Sequence, residues 1–199
     1  MQWVKGSGLF LAFAIFRLGE AQLIDVHAVI PQIQVELKYA TPDNFTGQII
    51  YPFHNCLLLE ETIAQLCKVQ AVLEPMGLGL KIWDGFRPIS AQWKFWELVP
   101  DPTYVYDPRK GGRHPRGTAV DLTLISKEGT ELPMPSAFDD FSEKAHKDYK
   151  GATAEETANR ELLRSVMEEH GFVGDKHEWW HFDLIGWEDY PVLQHPDEE

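Results

Sequence analysis

The sequence predicts a single α+β domain, and three observations support this fold class. The chain has 199 residues, which is long enough to bury one substantial core. Several segments alternate apolar and polar residues, as half-buried strands do. Other segments repeat apolar residues at helical spacing. The strand patterns permit a mainly antiparallel sheet with packed helices.

Composition and charge restrict the class of function. The chain is 44% apolar and 25% charged, which is typical of a folded protein. A net charge of −13 argues against nucleic acid or an anionic membrane as a partner, and it fits a protein that acts on a small ligand. Seven Trp and eleven Phe indicate a dense aromatic core or an aromatic-lined cleft.

Residues 1–21 resemble a secretory signal peptide. Lys5 precedes an apolar run at 9–16, and the small residue Ala21 offers a cleavage site. The apolar run is too short to span a bilayer. Two charged residues after the run depart from the pattern, so an amphipathic segment of a cytoplasmic protein is the alternative. We expect export, to the periplasm, and a mature domain of residues 22–199 without a membrane span.

Two strands and a polar loop are predicted between residues 24 and 51. Residues 24–41 alternate apolar and polar side chains, and Pro31 interrupts the alternation. Residues 39–51 contain several residues that favour turns: Pro42, Asp43, Asn44 and Gly47.

Two helices that flank one strand are predicted next. Residues 57–73 carry an apolar stripe at helical spacing, which ends before a proline and a glycine. Residues 78–83 read as a strand, and residues 89–98 as a short helix whose aromatic residues we expect in the core. Cys56 and Cys67 lack the paired spacing of a zinc site, and the sequence leaves open whether they form a disulfide.

The second half of the chain is predicted to contain a strand, a long polar insertion, a helix and a tail. The strand is at 118–124 and the insertion at 126–150. Thr153 and Glu156 form a capping-box pattern that opens the helix, and a glycine ends it. The acidic tail, residues 185–199, is expected to lie outside the functional site.

A first candidate cluster is the stretch 177–183, which reads His-Glu-Trp-Trp-His-Phe-Asp. Burying a carboxylate and an imidazole among aromatic residues is costly unless something holds them. A divalent metal would do so, with His181 as a ligand and Glu178 acting on water; a half-buried strand with a polar edge is the alternative. These two residues are three apart, so they cannot share one face of a regular strand. We therefore expect Glu178 at the entry of the strand or on a bulge, with Trp179 and Trp180 as pocket walls.

A second cluster offers an imidazole, His114, and a carboxylate, Asp121, seven residues apart. On the strand at 118–124, Asp121 lies on the face opposite to the apolar trio Val120, Leu122 and Leu124. Its neighbours on that face are small, which leaves room for an ion. Two histidines and one carboxylate suit zinc with an open fourth position. The sequence therefore predicts one Zn²⁺ held by His114, Asp121 and His181.

These clusters carry a resemblance to a known family. The pattern His-x-x-Gly-x-Ala-x-Asp, followed later by Glu-x-Trp-His, resembles the D-alanyl-D-alanine dipeptidases, the group that includes the vancomycin-resistance enzyme. Two further stretches fit: Asp-Gly-Phe-Arg-Pro at 84–88 and Phe-Asp-Asp-Phe-Ser at 138–142. The resemblance covers roughly residues 24–187, and four stretches in the right order make it strongly specific.

The resemblance implies a fold, a reaction and the roles of three site residues. The fold is the mainly antiparallel sheet of D,D-peptidases and hedgehog domains, and the reaction is hydrolysis of D-alanyl-D-alanine, a dipeptide of bacterial cell-wall metabolism. Glu178 would be the general base. Arg87 would stabilise the oxyanion, since a fixed guanidinium puts a permanent charge where negative charge develops. Asp139 would receive the free amino group of the substrate and exclude longer peptides.

Two other functions stay open at this point. One is a related zinc D,D-carboxypeptidase or endopeptidase acting on peptidoglycan, against which Asp139 speaks. The other is a zinc-holding recognition module that binds without cutting, against which Glu178 and Arg87 speak. The chain also departs from the family motif at Gly112, where the family has a serine that is expected to contact substrate, so the substrate preference is open as well.

Overall fold

The computed structural model of the chain describes residues 21–196, so the predicted signal peptide lies outside the described residues except for Ala21. Several short 3₁₀ turns connect the strands and helices. The elements in chain order are β1 (Leu23–Asp25), α1 (Val26–Val29), β2 (Gln34–Val35), β3 (Leu57–Leu59), α2 (Glu60–Leu73), β4 (Leu78–Asp84), α3 (Ile89–Leu98), β5 (Ala119–Ser126), α4 (Ala154–Glu169), β6 (Phe172–Gly174) and β7 (His181–Leu184).

Two sheets organise the molecule. The larger has five strands in the order β2-β4-β5-β7-β6, and the smaller pairs β1 with β3. Only the β2–β4 pair is parallel among the strands of residues 21–196, and all the other pairs are antiparallel. The predicted α+β class, with a mainly antiparallel sheet in a single domain, is confirmed.

The core lies between the larger sheet and two helices. Helices α2 and α4 pack against each other, α2 also against β4, and α4 against β5 and β6. The apolar trio of β5 is fully buried, as the strand pattern predicts: Val120, Leu122 and Leu124. Asp121 therefore lies on the opposite face of β5, away from this apolar core.

Helix α4 begins with the predicted capping box. Thr153 Oγ1 accepts from the backbone N–H of Glu156 at 3.2 Å, and Glu156 Oε2 accepts from the backbone N–H of Thr153 at 2.8 Å. Gly171, at φ +88°, follows its end. Within residues 21–196 none of the helices combines the length and the apolar character needed to cross a bilayer.

The predicted strand at 24–30 is wrong beyond its first residues. β1 ends at Asp25, whose carboxylate accepts from the backbone N–H of His27 at 2.8 Å and so caps a single helical turn. The second predicted strand is also short, because only Gln34 and Val35 pair with β4 before a 3₁₀ turn at Lys38–Ala40.

The predicted helix at 57–73 is wrong at its start. Leu57–Leu59 is a strand, because the three leucines pair with β1 and the N–H of Leu59 donates to the carbonyl of Gly117 at 2.9 Å. The helix begins at Glu60, where acidic residues in its first turn favour the helix dipole. Three consecutive buried leucines are compatible with a strand or with the apolar face of a helix. Here the pairing with β1 makes the segment a strand.

Helix α3 has the predicted bounds, but its aromatic residues are not all in the core. Phe95 is buried, whereas 42% of the surface of Trp93 is exposed. Cys56 and Cys67 are both free thiols, which answers the question that the sequence left open.

Candidate metal centre and substrate pocket

The register of three neighbouring strands brings the polar residues of the site into one row. Asp84 of β4 lies opposite Asp121 of β5, and Asp121 lies opposite His181 of β7. His114 comes from a 3₁₀ turn just ahead of β5, which Gly117 ends at φ +68°. Residues that are far apart in the sequence therefore meet because the sheet aligns them.

His114, Asp121 and His181 form a buried cluster whose ligand atoms all lie within 4.8 Å of one another. His114 Nε2 is 3.4 Å from Asp121 Oδ2, and His181 Nδ1 is 2.9 Å from Asp121 Oδ1. Ligand atoms around a tetrahedral zinc with bonds of about 2.0–2.1 Å are about 3.4 Å apart. The three residues that the sequence selects are thus brought together at a spacing suited to one small cation.

The hydrogen bonds of the two imidazoles orient them toward the cluster. His114 Nδ1 lies 2.7 Å from the carbonyl oxygen of Gly85, which can only accept, so Nδ1 carries the proton. Nε2 of His114 is then buried with no hydrogen-bond partner in the described chain. His181 Nε2 lies 2.9 Å from Asp183 Oδ1, which leaves Nδ1 facing Asp121. A carboxylate or carbonyl behind each ligating imidazole is the usual support of a metal site.

Charges around the cluster favour a cation at its centre. Burial alone would lower the pKa of His181, but the carboxylates of Asp183 and Asp121 raise it well above its usual value. Burial would raise the pKa of Asp121, but His114 and His181 hold it well below its usual range. A buried imidazole that keeps its proton between two carboxylates marks a place where positive charge is stabilised.

The cluster opens into a cavity of about 240 Å³ that also contains Glu178, Arg87 and Asp139. All six predicted site residues therefore line one pocket. Aromatic rings form much of its wall: Tyr39, Phe45, Phe95, Tyr104, Phe141 and Trp180. Trp179 lines a neighbouring cavity of about 390 Å³ instead, so only one of the two tryptophans walls this pocket as predicted.

Glu178 lies in the turn immediately before β7, which confirms its expected place at the entry of the strand. Its carbonyl accepts from the backbone N–H of His181 at 3.2 Å, and this bond ties the two residues into one turn. Burial, opposed by His181 and reinforced by nearby carboxylates, raises the pKa of Glu178 to about 8. Glu178 therefore has a strong affinity for a proton.

Arg87 is held rigidly at the back of the pocket. Its Nε and Nη2 donate to Asp84 Oδ2 at 3.0 and 2.7 Å, and its Nη1 donates to Gln92 Oε1 at 3.0 Å. The guanidinium also lies 3.6 Å from Asp121 Oδ2 and against the ring of Phe95. Burial would lower the pKa of Arg87, but Asp84 raises it well above its usual value, so the charge is permanent.

Asp139 lies in the pocket with its carboxylate fixed by Tyr39, whose hydroxyl donates to it at 3.0 Å. It is the only residue other than glycine with a positive φ, +57°, within residues 21–196. Aspartate tolerates this left-handed conformation better than most residues. Burial raises the pKa of Asp139 to about 7, although the hydrogen bond from Tyr39 opposes the shift.

Two residues that the sequence did not single out also support the site. Asp183 shares a strand face with His181 because it follows two positions later, and this periodicity was a usable signal. Tyr39 carried no such signal, because it lies 100 residues from its partner Asp139. Gly112, at φ +90°, holds a backbone conformation that a serine rarely adopts.

Comparison with known proteins identifies the family. The sequence model of the family described as D-ala-D-ala dipeptidase matches residues 19–197. The chain is 41% identical over 172 residues to the D-alanyl-D-alanine dipeptidase of Escherichia coli (strain K12), which covers 86% of this chain and 89% of that protein. The enzymes of the same name from Enterococcus faecalis and Enterococcus faecium are 36% identical over 180 residues (80% of this chain, 89% of that one) and 35% identical over 184 residues (82% and 91%). The resemblance carried by the four motifs is confirmed, and the chain belongs to the D-ala-D-ala dipeptidase family.

Proposed function

We propose that this chain hydrolyses the dipeptide D-alanyl-D-alanine with one zinc ion held by His114, Asp121 and His181. One observation carries the proposal: the buried, unpartnered Nε2 of His114 faces a carboxylate and a second imidazole in the pocket that also contains Glu178. The relatives in Escherichia coli and the two enterococci are named after this dipeptide.

The donor set fits zinc. Imidazole nitrogens and a carboxylate oxygen, three in all, are the ligands that catalytic zinc sites use when the fourth position stays open. When bound in such a site, Zn²⁺ polarises a carbonyl and lowers the pKa of water to about 7. Three ligand atoms within 4.8 Å of one another support a single ion.

Glu178 is the proposed general base and acid. It takes a proton from the attacking water and passes one to the leaving amine. Its raised pKa, about 8, suits the second half of this task, because the side chain gives up its proton only to a stronger base such as the departing amine. A divalent cation nearby favours the ionised form, so the first half of the task depends on the metal.

Arg87 is proposed to meet the negative charge that develops on the scissile carbonyl oxygen. Asp84 and Gln92 fix the guanidinium before substrate arrives, so no reorganisation is needed during the reaction. Its distance of 3.6 Å from Asp121 Oδ2 keeps it beside the metal cluster.

Asp139 is proposed to bind the ammonium group of the dipeptide. Its carboxylate is positioned by Tyr39 and lies in an enclosed pocket, where a charge pair is stronger than in water. A peptide extended beyond this amino group would lack the ammonium and would meet the pocket wall. This feature favours a dipeptidase over an enzyme that trims long peptide stems.

The test is an amine-release assay on D-alanyl-D-alanine and on L-alanyl-L-alanine, with and without a chelator. We expect hydrolysis of the D,D-dipeptide only, its loss with chelator, and its recovery on addition of zinc. A zinc-loaded protein that is inert on every D,D-dipeptide would indicate a recognition module instead. Faster cleavage of intact peptide stems than of the dipeptide would indicate a carboxypeptidase or endopeptidase.

We also propose that the protein acts outside the cytoplasm. The support is the resemblance of residues 1–21 to a secretory signal, with a basic residue, an apolar run and a small residue at its end. N-terminal sequencing of the protein recovered from the periplasm should start near Gln22. An intact N-terminus on protein found only in the cytoplasm would contradict this.

A further inference from the structure

A dipeptide carries two charges, and the proposed function accounts for only one of them. Asp139 meets the ammonium group, but the terminal carboxylate needs a cationic partner. Two arginines line the pocket, Arg87 and Arg113. Three of the five N–H groups of Arg87 donate to Asp84 and Gln92, and the rest are assigned above to the scissile carbonyl oxygen, so Arg113 is the arginine available to a terminal carboxylate.

Arg113 is contacted by one carboxylate and two aromatic rings. Its Nε lies 2.8 Å from Asp183 Oδ2 in an ion pair. Its guanidinium carbon is 5.0 Å from the ring centroid of Tyr106 and 5.3 Å from that of Trp187. Within residues 21–196 its two terminal nitrogens make no hydrogen bond, and 28% of the side chain is exposed. Arg113 lines the pocket, so these nitrogens are available to a ligand bound there.

A chain of contacts connects Arg113 to Asp139 through the metal cluster. From the ammonium partner to the guanidinium, each neighbour touches the next in the order Asp139, Tyr39, Arg87, Asp121, His181, Asp183 and Arg113. The charged groups of a dipeptide follow the same order, with the ammonium first, the scissile carbonyl in the middle and the carboxylate last. The pocket therefore offers a partner for each charge of the substrate, with the metal cluster between the two partners in the chain of contacts.

We infer that Arg113 binds the terminal carboxylate of the dipeptide through Nη1 and Nη2 and so determines specificity for a free C-terminus. The inference rests on the proposed function and adds the group that reads the far end of the substrate. A guanidinium and a carboxylate form two parallel charge-assisted hydrogen bonds, which a lysine cannot reproduce. Contacts with Tyr106 and Trp187 limit the movement of the guanidinium.

The test compares D-alanyl-D-alanine with its C-terminal amide on zinc-saturated wild type, Arg113→Gln and Arg113→Lys. The wild type should prefer the free acid by about 10- to 100-fold in kcat/KM, the usual worth of a charged hydrogen-bonded pair. Arg113→Gln should lose this preference, chiefly through a higher KM for the acid, and should cleave the amide as well as the wild type does. Arg113→Lys should keep part of the preference. Arg109→Gln is the matched control, because Arg109 is exposed and pairs only with Asp107 among the carboxylates of residues 21–196.

The outcomes separate this inference from its alternatives. Equal losses on acid and amide in Arg113→Gln, together with weaker zinc binding, would mean that Arg113 acts only by supporting Asp183, and would overturn the inference. A wild type that cleaves the amide as fast as the acid would overturn it without any variant. A wild type that cleaves neither compound would instead overturn the proposed function.

Discussion

His181 is the residue on which most of the site chemistry depends, because it lies between two carboxylates. Its Nδ1 is 2.9 Å from Asp121 and its Nε2 is 2.9 Å from Asp183. Asp183 in turn pairs with Arg113, so a single carboxylate links the metal cluster to the proposed carboxylate-binding arginine. Side chains behind a metal ligand fix its orientation and raise its basicity.

Replacing Asp183 with Asn should therefore weaken zinc binding by about 10- to 100-fold, the usual effect of removing such a support. The amide keeps the shape of the side chain but loses the charge that holds the imidazole proton. A competition titration with a zinc-binding dye measures the dissociation constant. Asp189→Asn, which changes an exposed carboxylate six residues further along the chain, is the control and should leave the constant unchanged. Equal zinc affinity in Asp183→Asn and wild type would contradict this role.

Glu178→Ala should retain zinc and lose at least about 100-fold in kcat, the usual scale for a general base. The reason is that Glu178 lines the pocket without belonging to the ligand cluster. Zinc content and turnover must be measured on the same preparation. A zinc-loaded variant with near-normal turnover would show that another group moves the proton.

The pH dependence of substrate selection should report on Asp139. Its pKa is raised to about 7, and only the ionised form attracts an ammonium, so recognition is present above pH 7 and is lost as the pH falls through that value. The measurement is the ratio of kcat/KM for D-alanyl-D-alanine to that for propionyl-D-alanine, which lacks the amino group. Groups common to both substrates cancel in this ratio, but the amino group of the dipeptide, with a pKa of about 7.7–8.0, does not. Because part of that group has lost its proton at pH 8, the ratio should be about three- to fivefold lower at pH 6 than at pH 8.

In Asp139→Asn the same ratio should be low at both pH values, because the amide cannot ionise. A ratio that stays constant from pH 6 to pH 8 in the wild type would show that the ammonium is bound elsewhere.

The site residues that could be predicted from the sequence are those that occur at a characteristic spacing, and the others could not be predicted. His114, Asp121, His181 and Glu178 were identified because their spacing has a chemical meaning, and the structure brings them into one pocket. Tyr39 and Arg113 were not, since a tyrosine in a polar loop and an arginine next to a histidine have many uses. Only the fold reveals that both reach the pocket.

At the scale of elements, the register of β4, β5 and β7 creates the row of Asp84, Asp121 and His181. Alternation along the strand predicts which face Asp121 uses, but no local pattern predicts which strand lies beside it. The turn that carries His114 is fixed separately: the carbonyl of Gly117 accepts from the N–H of Leu59 at 2.9 Å. This contact also explains why Leu57–Leu59 is a strand rather than the start of a helix.

Gly117→Ala should therefore damage the site through its backbone. Gly117 has φ +68°, and an added Cβ would lie 2.9 Å from the backbone nitrogen of Leu59. Gly47 has a similar φ, +66°, with nothing within 4 Å, so Gly47→Ala is a matched control for conformational strain alone. We expect Gly47→Ala to cost about 1–2 kcal/mol of unfolding free energy, and Gly117→Ala a further 1–3 kcal/mol or so from the clash.

Urea denaturation of both variants measures these costs, and a zinc titration should show weaker binding in Gly117→Ala alone. Equal stabilities and equal zinc affinities in the two variants would mean that the close approach to β3 does not position His114.

At the scale of the whole molecule, the site is a point where separate parts of the sheet meet. Zinc ligands would come from the turn before β5, from β5 and from β7, so a bound ion would tie these segments together. The fold class and most helices could be predicted from periodicity. The order β2-β4-β5-β7-β6 could not, because strand order is set by long-range packing and several strands have only two to four residues.

Zinc should accordingly stabilise the whole fold. A ligand that binds only the folded state adds about 1.4 kcal/mol to the unfolding free energy for each tenfold excess over its dissociation constant. Thermal or urea unfolding at several concentrations of free zinc measures this slope. His114→Ala should abolish the dependence, because it removes one of three ligands. If the unfolding free energy of the wild type did not change with zinc concentration, this would contradict a zinc site formed by the folded sheet.

The central claim is that His114, Asp121 and His181 hold a single catalytic metal. A crystal of the protein grown with zinc, with diffraction recorded on both sides of the zinc absorption edge, tests this most directly. We expect one anomalous peak per chain, bonded to His114 Nε2, Asp121 and His181 Nδ1 at about 2.0–2.2 Å. A zinc peak away from these atoms, or the two imidazoles turned apart with no peak between them, would contradict it.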